Sequence, residues 1–368
     1  MISISARRTW SARAAQAGGN ILESGHQGGQ DARAPGTLAM KKLLLAIVLL
    51  LAIAALADWM VIARVPVKPL EFGTLLAATA LVLGAFVALT DRAVIDDLRQ
   101  WAGKSPLIAL AIPLLILVPY LIYAAASRTF ALVPAFKLAG YALAPTALLL
   151  PDRLRNRPSM NLRDWLAMAA VAVPIPAHWL ADVWVWPYGP PQDLYFLLPL
   201  GSVCLGLYAF VVVRGLEDVG YKLLWRGGDV LIGVSNWALF SVVAIPLGYA
   251  LRFIHFHAHH VSAANLAGTF VGIYLTVAIP EEVFFRGILQ NLLEKGIRRG
   301  PPGLYALLIA SAIFGASHFH HPPVPNWRYC IMATVAGIFY GLAYRWRRRT
   351  SASGLTHALV DTLWHFWF

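Results

Sequence analysis

Apolar runs alternate with short polar loops from Leu43 to the end of the chain. Each run has about 20 residues, the length that an α-helix needs to cross a lipid bilayer. No alternating strand pattern competes with them. About eleven runs fit this length, and they centre near Ile53, Ala80, Leu115, Ala142, Val173, Ser202, Val243, Tyr274, Leu308, Ala336 and, for a short last one, Val360. The pattern predicts an all-α, polytopic transmembrane helix bundle of about 10 to 11 membrane segments.

The composition excludes the water-soluble classes. Hydrophobic residues make up 59% of the chain and charged residues only 13%, whereas soluble domains carry about 25% charged residues. The net charge of +12 is better explained by basic residues kept on the cytoplasmic side of a membrane than by nucleic-acid binding. Cys204 and Cys330 lie in apolar stretches without the nearby ligands of a zinc cluster. We therefore expect a lipid bilayer around the chain and no nucleic-acid partner.

Residues 1–40 differ from the rest, because they are rich in Ser, Ala, Gly, Gln and Arg and contain no membrane-length apolar run. This composition predicts a disordered tail. Met40 is followed by Lys41 and Lys42 and then by an apolar run, as in membrane proteins with a cytoplasmic N-terminus. Residues 1–40 could thus precede the true start. An Arg-rich, Ser-rich targeting peptide is the alternative.

Basic residues concentrate in alternate loops, which predicts the topology. With the N-terminus in the cytoplasm, the cytoplasmic loops carry Arg92, Arg99, Lys104, Arg153, Arg155, Arg157, Arg163, Arg214, Lys222, Arg226, Lys295, Arg298, Arg299, Arg345, Arg347, Arg348 and Arg349. The other loops hold mainly Arg64, Lys68, Arg128, Arg252 and Arg328. We expect a multi-pass protein of the cell membrane, and the high Ala and Arg usage suggests a bacterial inner membrane.

Ionisable residues inside a membrane are costly and indicate function, and here they concentrate in the last third of the chain. Glu281 and Glu282 are adjacent, with Arg286 four residues after the second. On a helix Glu282 and Arg286 share a face, while Glu281 points about 100° away. We expect a structural pair of Glu282 with Arg286 and a carboxylate on Glu281 that is free for proton chemistry. The alternative is the charged cytoplasmic end of a helix.

Two further motifs follow, Phe314-x-x-x-His318 and His357-x-x-x-Asp361. The helix with Glu281 and the next helix form a predicted hairpin that turns near Gly296 to Pro302. Glu281 precedes that turn by about 15 residues and His318 follows it by about 16, so both lie roughly 20 to 25 Å up their helices. His357 and Asp361 lie roughly 10 to 18 Å from the same surface. These depths predict one cavity that opens to the cytoplasm.

In their order and spacing, the three motifs resemble the CAAX protease and bacteriocin-processing family, also called CPBP or Abi, which includes the type II prenyl-protein endopeptidases. The family pattern is Glu-Glu-x-x-x-Arg, then Phe-x-x-x-His, then His-x-x-x-Asn or Asp. The resemblance covers roughly residues 262 to 368. It suggests an N-terminal transmembrane helical region at 41–255 and a CPBP-type catalytic bundle at 256–368.

The resemblance implies a glutamate-type intramembrane endopeptidase that acts on peptide or membrane-anchored protein substrates. In that interpretation Glu281 and His318 activate a water molecule, and His357 donates to the oxyanion of the scissile carbonyl. Arg286 keeps Glu282 ionised. Asp361 stands where an Asn could donate to the oxyanion, and since an ionised Asp would repel it, we expect Asp361 to be protonated or, as we prefer, to orient His357. No cofactor is implied.

Three alternatives stay open. Glu281, His318 and His357 are ligand types that zinc prefers, although no His-Glu-x-x-His pair is present. A transporter could use the charges as a proton relay, although no internal repeat is visible. A binding or immunity protein could keep the scaffold without catalysis. The sequence predicts neither the substrate nor the oligomeric state, and the other histidines, His255, His257, His259, His260, His320 and His321, are expected to be exposed loop residues without a catalytic role.

Overall fold

The structure is a computed structural model that describes residues 68–155, 160–187, 194–297 and 299–368. These residues form helices and connecting turns, and no strand occurs among them. The predicted tail at 1–40, the alternative start at Met40 and the apolar run near Ile53 lie outside the described residues. All described residues belong to one compact unit, Ala46–Phe368.

Between residues 68 and 220, the described ranges contain six helices. They are α1 (Pro69–Ala88), α2 (Arg92–Lys104), α3 (Pro106–Ser127), α4 (Leu132–Leu154), α5 (Leu162–Ala172) and, after a 3₁₀ turn at Leu194–Phe196, α6 (Leu197–Val213). Side-chain caps fix where some of these helices begin. The Asp91 carboxylate accepts from the backbone N–H of Ala93 at 2.8 Å and so caps α2. Ser105 caps α3, which has a proline as its first residue, a position where no N–H is needed.

Five helices follow. They are α7 (Gly227–Ala250), α8 (Ala263–Gly296), α9 (Pro302–Ala316), α10 (Trp327–Arg347) and α11 (Thr350–Trp367). The turn between α8 and α9 confirms the predicted hairpin. Within α8, π-helical segments at Tyr274–Ala278 and Val283–Gln290 flank the short α-helical stretch that carries the two glutamates. Such segments often occur at functional sites.

The helices confirm the all-α polytopic fold. Ten of the eleven predicted run centres fall within a helix or one residue beyond its end. Five helices of the described chain, α1, α3, α4, α7 and α8, are long and apolar enough to cross a membrane. The helices α6 and α9 are apolar but shorter. The sequence count was higher because it included the shorter helices α5, α6 and α9, the less apolar helices α10 and α11, and the run near Ile53, which lies outside the described residues.

The helices pack in two groups around α6. Helices α7 to α11 pack against each other, and α1 packs against α3 and α4 against α5. Helix α6 contacts α1, α5 and α8. At Gly206 a side chain would meet Ile288 of α8 at 3.4 Å and Val171 of α5 at 3.5 Å, which shows how closely α6 fits between them. The predicted division at residue 255 stays a prediction.

The loops predicted to share one side of the membrane do meet at one end of the bundle. Arg99 donates to the carbonyl of Val211 at 3.0 Å, and Lys222 donates to the carbonyl of Thr90 at 3.0 Å. Further contacts join Arg214 to Asp164, Lys295 to Asp218, Arg348 to Glu294, and Arg347 and Arg349 to Asp229. We call the loops and helix ends that carry these residues the basic end. That the basic end faces the cytoplasm stays a prediction.

Candidate active site

The first motif forms the predicted ion pair. Glu282 and Arg286 are both 0% exposed, and Arg286 Nε lies 3.2 Å from Glu282 Oε2. Glu281 points elsewhere, with its side chain 33% exposed and no contact to Arg286 among the described ion pairs. The four-residue spacing therefore predicted the pair correctly, and it left the neighbouring carboxylate available.

His357 lies among three carboxylates. Its Nδ1 is 3.1 Å from Glu282 Oε1, and its Nε2 is 3.3 Å from Asp361 Oδ2 and 3.9 Å from Glu281 Oε2. The side chain of His357 is only 4% exposed. Helix α11 thus brings its His and Asp onto the face of α8 that carries the two glutamates. Glu282 contacts both Arg286 and His357, so this carboxylate links α8 to α11.

His318 lies two residues beyond the end of α9, whereas the sequence placed it on the helix. Its Nδ1 is 2.8 Å from the carbonyl oxygen of Phe314, and Ser317 Oγ donates to the same carbonyl at 2.7 Å. Two side chains therefore take the place of the backbone partner that would continue the helix. Because Nδ1 must carry the hydrogen to bond a carbonyl, Nε2 of His318 is left as an acceptor.

Phe314 connects the two histidines. This ring is buried, and its centroid lies 4.9 Å from the His318 ring and 5.8 Å from the His357 ring. Tyr340 completes the cluster, since it stacks on His357 with centroids 4.4 Å apart and an interplanar angle of 17°. A large apolar ring at position 314 therefore packs against both imidazoles and restricts their orientation.

The four predicted catalytic side chains face one cavity of about 200 Å³, which Glu281, His318, His357 and Asp361 all line. No hydrogen bond joins Glu281 to His318 in the described part of the chain. One water molecule needs only about 10 to 15 Å³ of such a cavity, counted as the space open to a water-sized sphere. The cavity therefore has room for a water molecule between the two side chains and for part of a peptide.

The lining residues that the sequence interpretation missed include Tyr329, Tyr340 and His321. His321 is exposed, as expected for a loop residue, yet its ring stacks on His318 with centroids 5.5 Å apart. Its spacing of three residues from His318 was the available signal. Nothing in the sequence distinguishes the two tyrosines from other tyrosines of the bundle.

The described residues that line the cavity lie toward the helix ends away from the basic end, and the expected access from the cytoplasm stays a prediction. The cavity extends from Tyr340 and His357 toward Phe253 and Phe368, which follow the ends of α7 and α11 farthest from the basic end. Counting residues from a turn gives the depth of a side chain but not the direction in which a cavity opens.

Metal binding was the main alternative chemistry. Across the described ranges, no group of three or more His, Cys, Asp or Glu side chains is arranged to hold a metal ion. The histidines at 255, 257, 259 and 260 are exposed in the segment between α7 and α8, as expected. His320 is exposed as well.

A family model described as type II CAAX prenyl endopeptidase Rce1-like matches residues 262–363. The match spans α8 to α11, with all three motifs, and confirms the resemblance drawn from them. No curated protein and no solved structure is significantly similar to the chain.

Proposed function

We propose that the chain is an intramembrane endopeptidase that hydrolyses peptide bonds of membrane-associated substrates by carboxylate and histidine activation of water. The observation that carries the proposal is the convergence of Glu281, His318, His357 and Asp361 on one cavity within an apolar helix bundle. Ionisable groups are costly to hold at such a position, so their clustering there indicates a function. The similarity of residues 262–363 to type II CAAX prenyl endopeptidases agrees with this chemistry.

In the proposed reaction Glu281 is the general base and His318 the second group that holds the water. The Nε2 atom of His318 can accept one hydrogen of the water, and the Glu281 carboxylate accepts the other. As the water oxygen bonds to the scissile carbonyl carbon, its proton passes to Glu281. Collapse of the tetrahedral intermediate breaks the C–N bond, and Glu281 returns the proton to the leaving amine.

His357 and Glu282 form the support of the site. Arg286 and His357 hold the Glu282 carboxylate from two sides, which fixes the imidazole of His357 beside Glu281. Asp361 contacts the opposite ring nitrogen, in agreement with an orienting role. In the proposal His357 lies next to the developing oxyanion, where one well-placed donor contributes roughly 3 to 4 kcal/mol to transition-state stabilisation.

The substrate class follows from the surroundings of the site. The cavity wall is largely aromatic and aliphatic, with Phe240, Phe253, Met332 and Trp364 among its residues. Such a wall favours apolar side chains beside the scissile bond. We propose a peptide or a membrane-anchored protein as substrate, and whether it is prenylated is a question for the experiment below.

The test uses a library of quenched fluorescent peptides, with and without a farnesyl group, and the purified protein in liposomes. Wild type is compared with Glu281→Gln and with Glu294→Gln, a matched change at the basic end of the same helix, where the carboxylate pairs with Arg348. We expect cleavage by wild type and Glu294→Gln and none by Glu281→Gln. Full cleavage by Glu281→Gln would reject the proposal.

The same assay with a chelator separates the two water-activation chemistries. Cleavage that persists in the chelator supports activation by the protein side chains alone. Cleavage that is lost, and that zinc restores, would favour the metalloprotease alternative with Glu281, His318 and His357 as ligands.

A further inference from the structure

Among the described residues, the hydroxyls of the buried tyrosines mostly bond to the backbone, and two of them do not. Those of seven tyrosines donate to backbone carbonyls at 2.6 to 3.4 Å: Tyr120, Tyr123, Tyr141, Tyr208, Tyr221, Tyr274 and Tyr344. Tyr329 and Tyr340 are also largely buried, but in the described chain neither hydroxyl has a hydrogen-bond partner, and both side chains line the catalytic cavity. Buried hydroxyls normally find partners, so an unpaired one at a cavity suggests a ligand contact.

Tyr340 is the better placed of the two. Its ring is 1% exposed and stacks on His357 with centroids 4.4 Å apart. Side chains on a helix lean toward its N-terminus, and the N-terminus of α10 carries Tyr329, at the open part of the cavity. This tendency directs the Tyr340 side chain toward the cavity, which the preceding α10 residues Met332, Ala333 and Ala336 also line.

The site also lacks a donor. The resemblance allows an Asn or an Asp at position 361, and this chain has Asp361. A carboxylate cannot donate a hydrogen bond to an oxyanion. Moreover, His357 Nε2 lies 3.3 Å from Asp361 Oδ2 and its Nδ1 lies 3.1 Å from Glu282 Oε1. Both nitrogens of the imidazole thus already face carboxylates, which weakens His357 as the sole donor to a developing negative charge.

We propose that the Tyr340 hydroxyl is a catalytic oxyanion donor, which replaces the side-chain amide that Asp361 cannot supply. This inference rests on the proposed peptidase function. When the water oxygen bonds to the carbonyl carbon, the carbonyl oxygen becomes an oxyanion, and the Tyr340 O–H donates a hydrogen bond to it. No proton leaves Tyr340, and the bond weakens again as the C–N bond breaks and the carbonyl re-forms.

The test removes single hydroxyl groups from one helix. Tyr340→Phe keeps the ring that stacks on His357, and Tyr344→Phe, one turn further along α10, removes a hydroxyl that bonds only the carbonyls of Asp218 and Val219. With the peptide that wild type cleaves best, we expect Tyr340→Phe to lower kcat by about 10²-fold with little change in KM. Tyr344→Phe should keep the wild-type kcat.

A phosphinic analogue of the same peptide, which mimics the tetrahedral intermediate, gives a second readout. We expect Tyr340→Phe to weaken binding of this analogue by a factor similar to the loss in kcat. Binding of the substrate peptide itself, before cleavage, should be unchanged. Wild-type kcat in Tyr340→Phe, or equal losses in Tyr340→Phe and Tyr344→Phe, would overturn the inference and leave the peptidase proposal intact. Absence of cleavage by wild type would overturn both.

Discussion

The carboxylates at the two ends of the bundle formed by α7 to α11 differ in their burial and in the number of their partners. At the basic end, Asp229 is completely buried and receives hydrogen bonds from Arg347 at 2.9 Å, Arg349 at 2.7 Å and Ser351 at 3.0 Å. At the cavity, Glu281 and Asp361 share His357 as their one ion-pair partner among the described residues. Since buried charge is stable only when it is paired, the first arrangement stabilises the fold and the second leaves charge available. The comparison separates a carboxylate that stabilises the fold from carboxylates that are available for the proposed reaction.

Glu282 lies between these two cases, and its removal should have the largest effect. Glu282→Gln leaves the guanidinium of Arg286 buried without a counter-charge, and one acceptor oxygen replaces the two that face Arg286 Nε and His357 Nδ1. Removal of one partner of a buried pair costs about 3 to 5 kcal/mol. We expect loss of both folding stability and cleavage, measured by thermal unfolding in detergent and by the peptide assay. Wild-type stability in this variant would show that Glu282, like Glu281 and Asp361, is not needed to stabilise the fold.

Asp229→Asn should destabilise the fold without altering the chemistry. The change removes the shared counter-charge of Arg347 and Arg349, which are partly exposed and keep some solvation. We therefore expect a loss of about 3 kcal/mol, at the low end for buried pairs. Cleavage per folded molecule should stay at the wild-type level. A loss of kcat in the folded fraction of this variant would contradict the purely structural role of Asp229.

A smaller effect is expected where a structural tyrosine loses its hydroxyl. Tyr221→Phe deletes the bond from its hydroxyl to the carbonyl of Phe86 at 2.8 Å, which should cost about 1 kcal/mol. Tyr340→Phe, which deletes no bond within the described chain, should leave the unfolding temperature unchanged. Equal destabilisation of the two variants would indicate that Tyr340 has a structural partner.

The last prediction concerns the side of the membrane and is qualitative. Single cysteines at His321, on the cavity wall, and at Arg299, at the basic end, are introduced after Cys204→Ala and Cys330→Ala. If the basic end is cytoplasmic, an impermeant maleimide added to intact cells should label the cysteine at 321 and not the one at 299. The reverse labelling would place the cavity opening on the cytoplasmic side.

Much of the fold could be predicted because it depends on local rules. Apolar run lengths located ten helices, and the four-residue spacing gave the Glu282 and Arg286 pair. The rest depends on contacts between distant segments. The bond between Glu282 and His357 joins residues 75 apart in sequence, and the stacking of Tyr340 on His357 follows from how α10 packs on α11. Helical periodicity gives the face of a residue but not which helix packs against it.

The central claim is that Glu281 serves the reaction and not the fold, and one variant tests both halves together. Cleavage and unfolding temperature are measured on the same preparation of Glu281→Gln, beside wild type and Asp229→Asn. The account predicts that Glu281→Gln loses cleavage by about 10²- to 10⁴-fold while its unfolding temperature stays equal to or above that of wild type, because a partly unpaired carboxylate is removed. Retained cleavage, or a fall in unfolding temperature as large as that of Asp229→Asn, would contradict it.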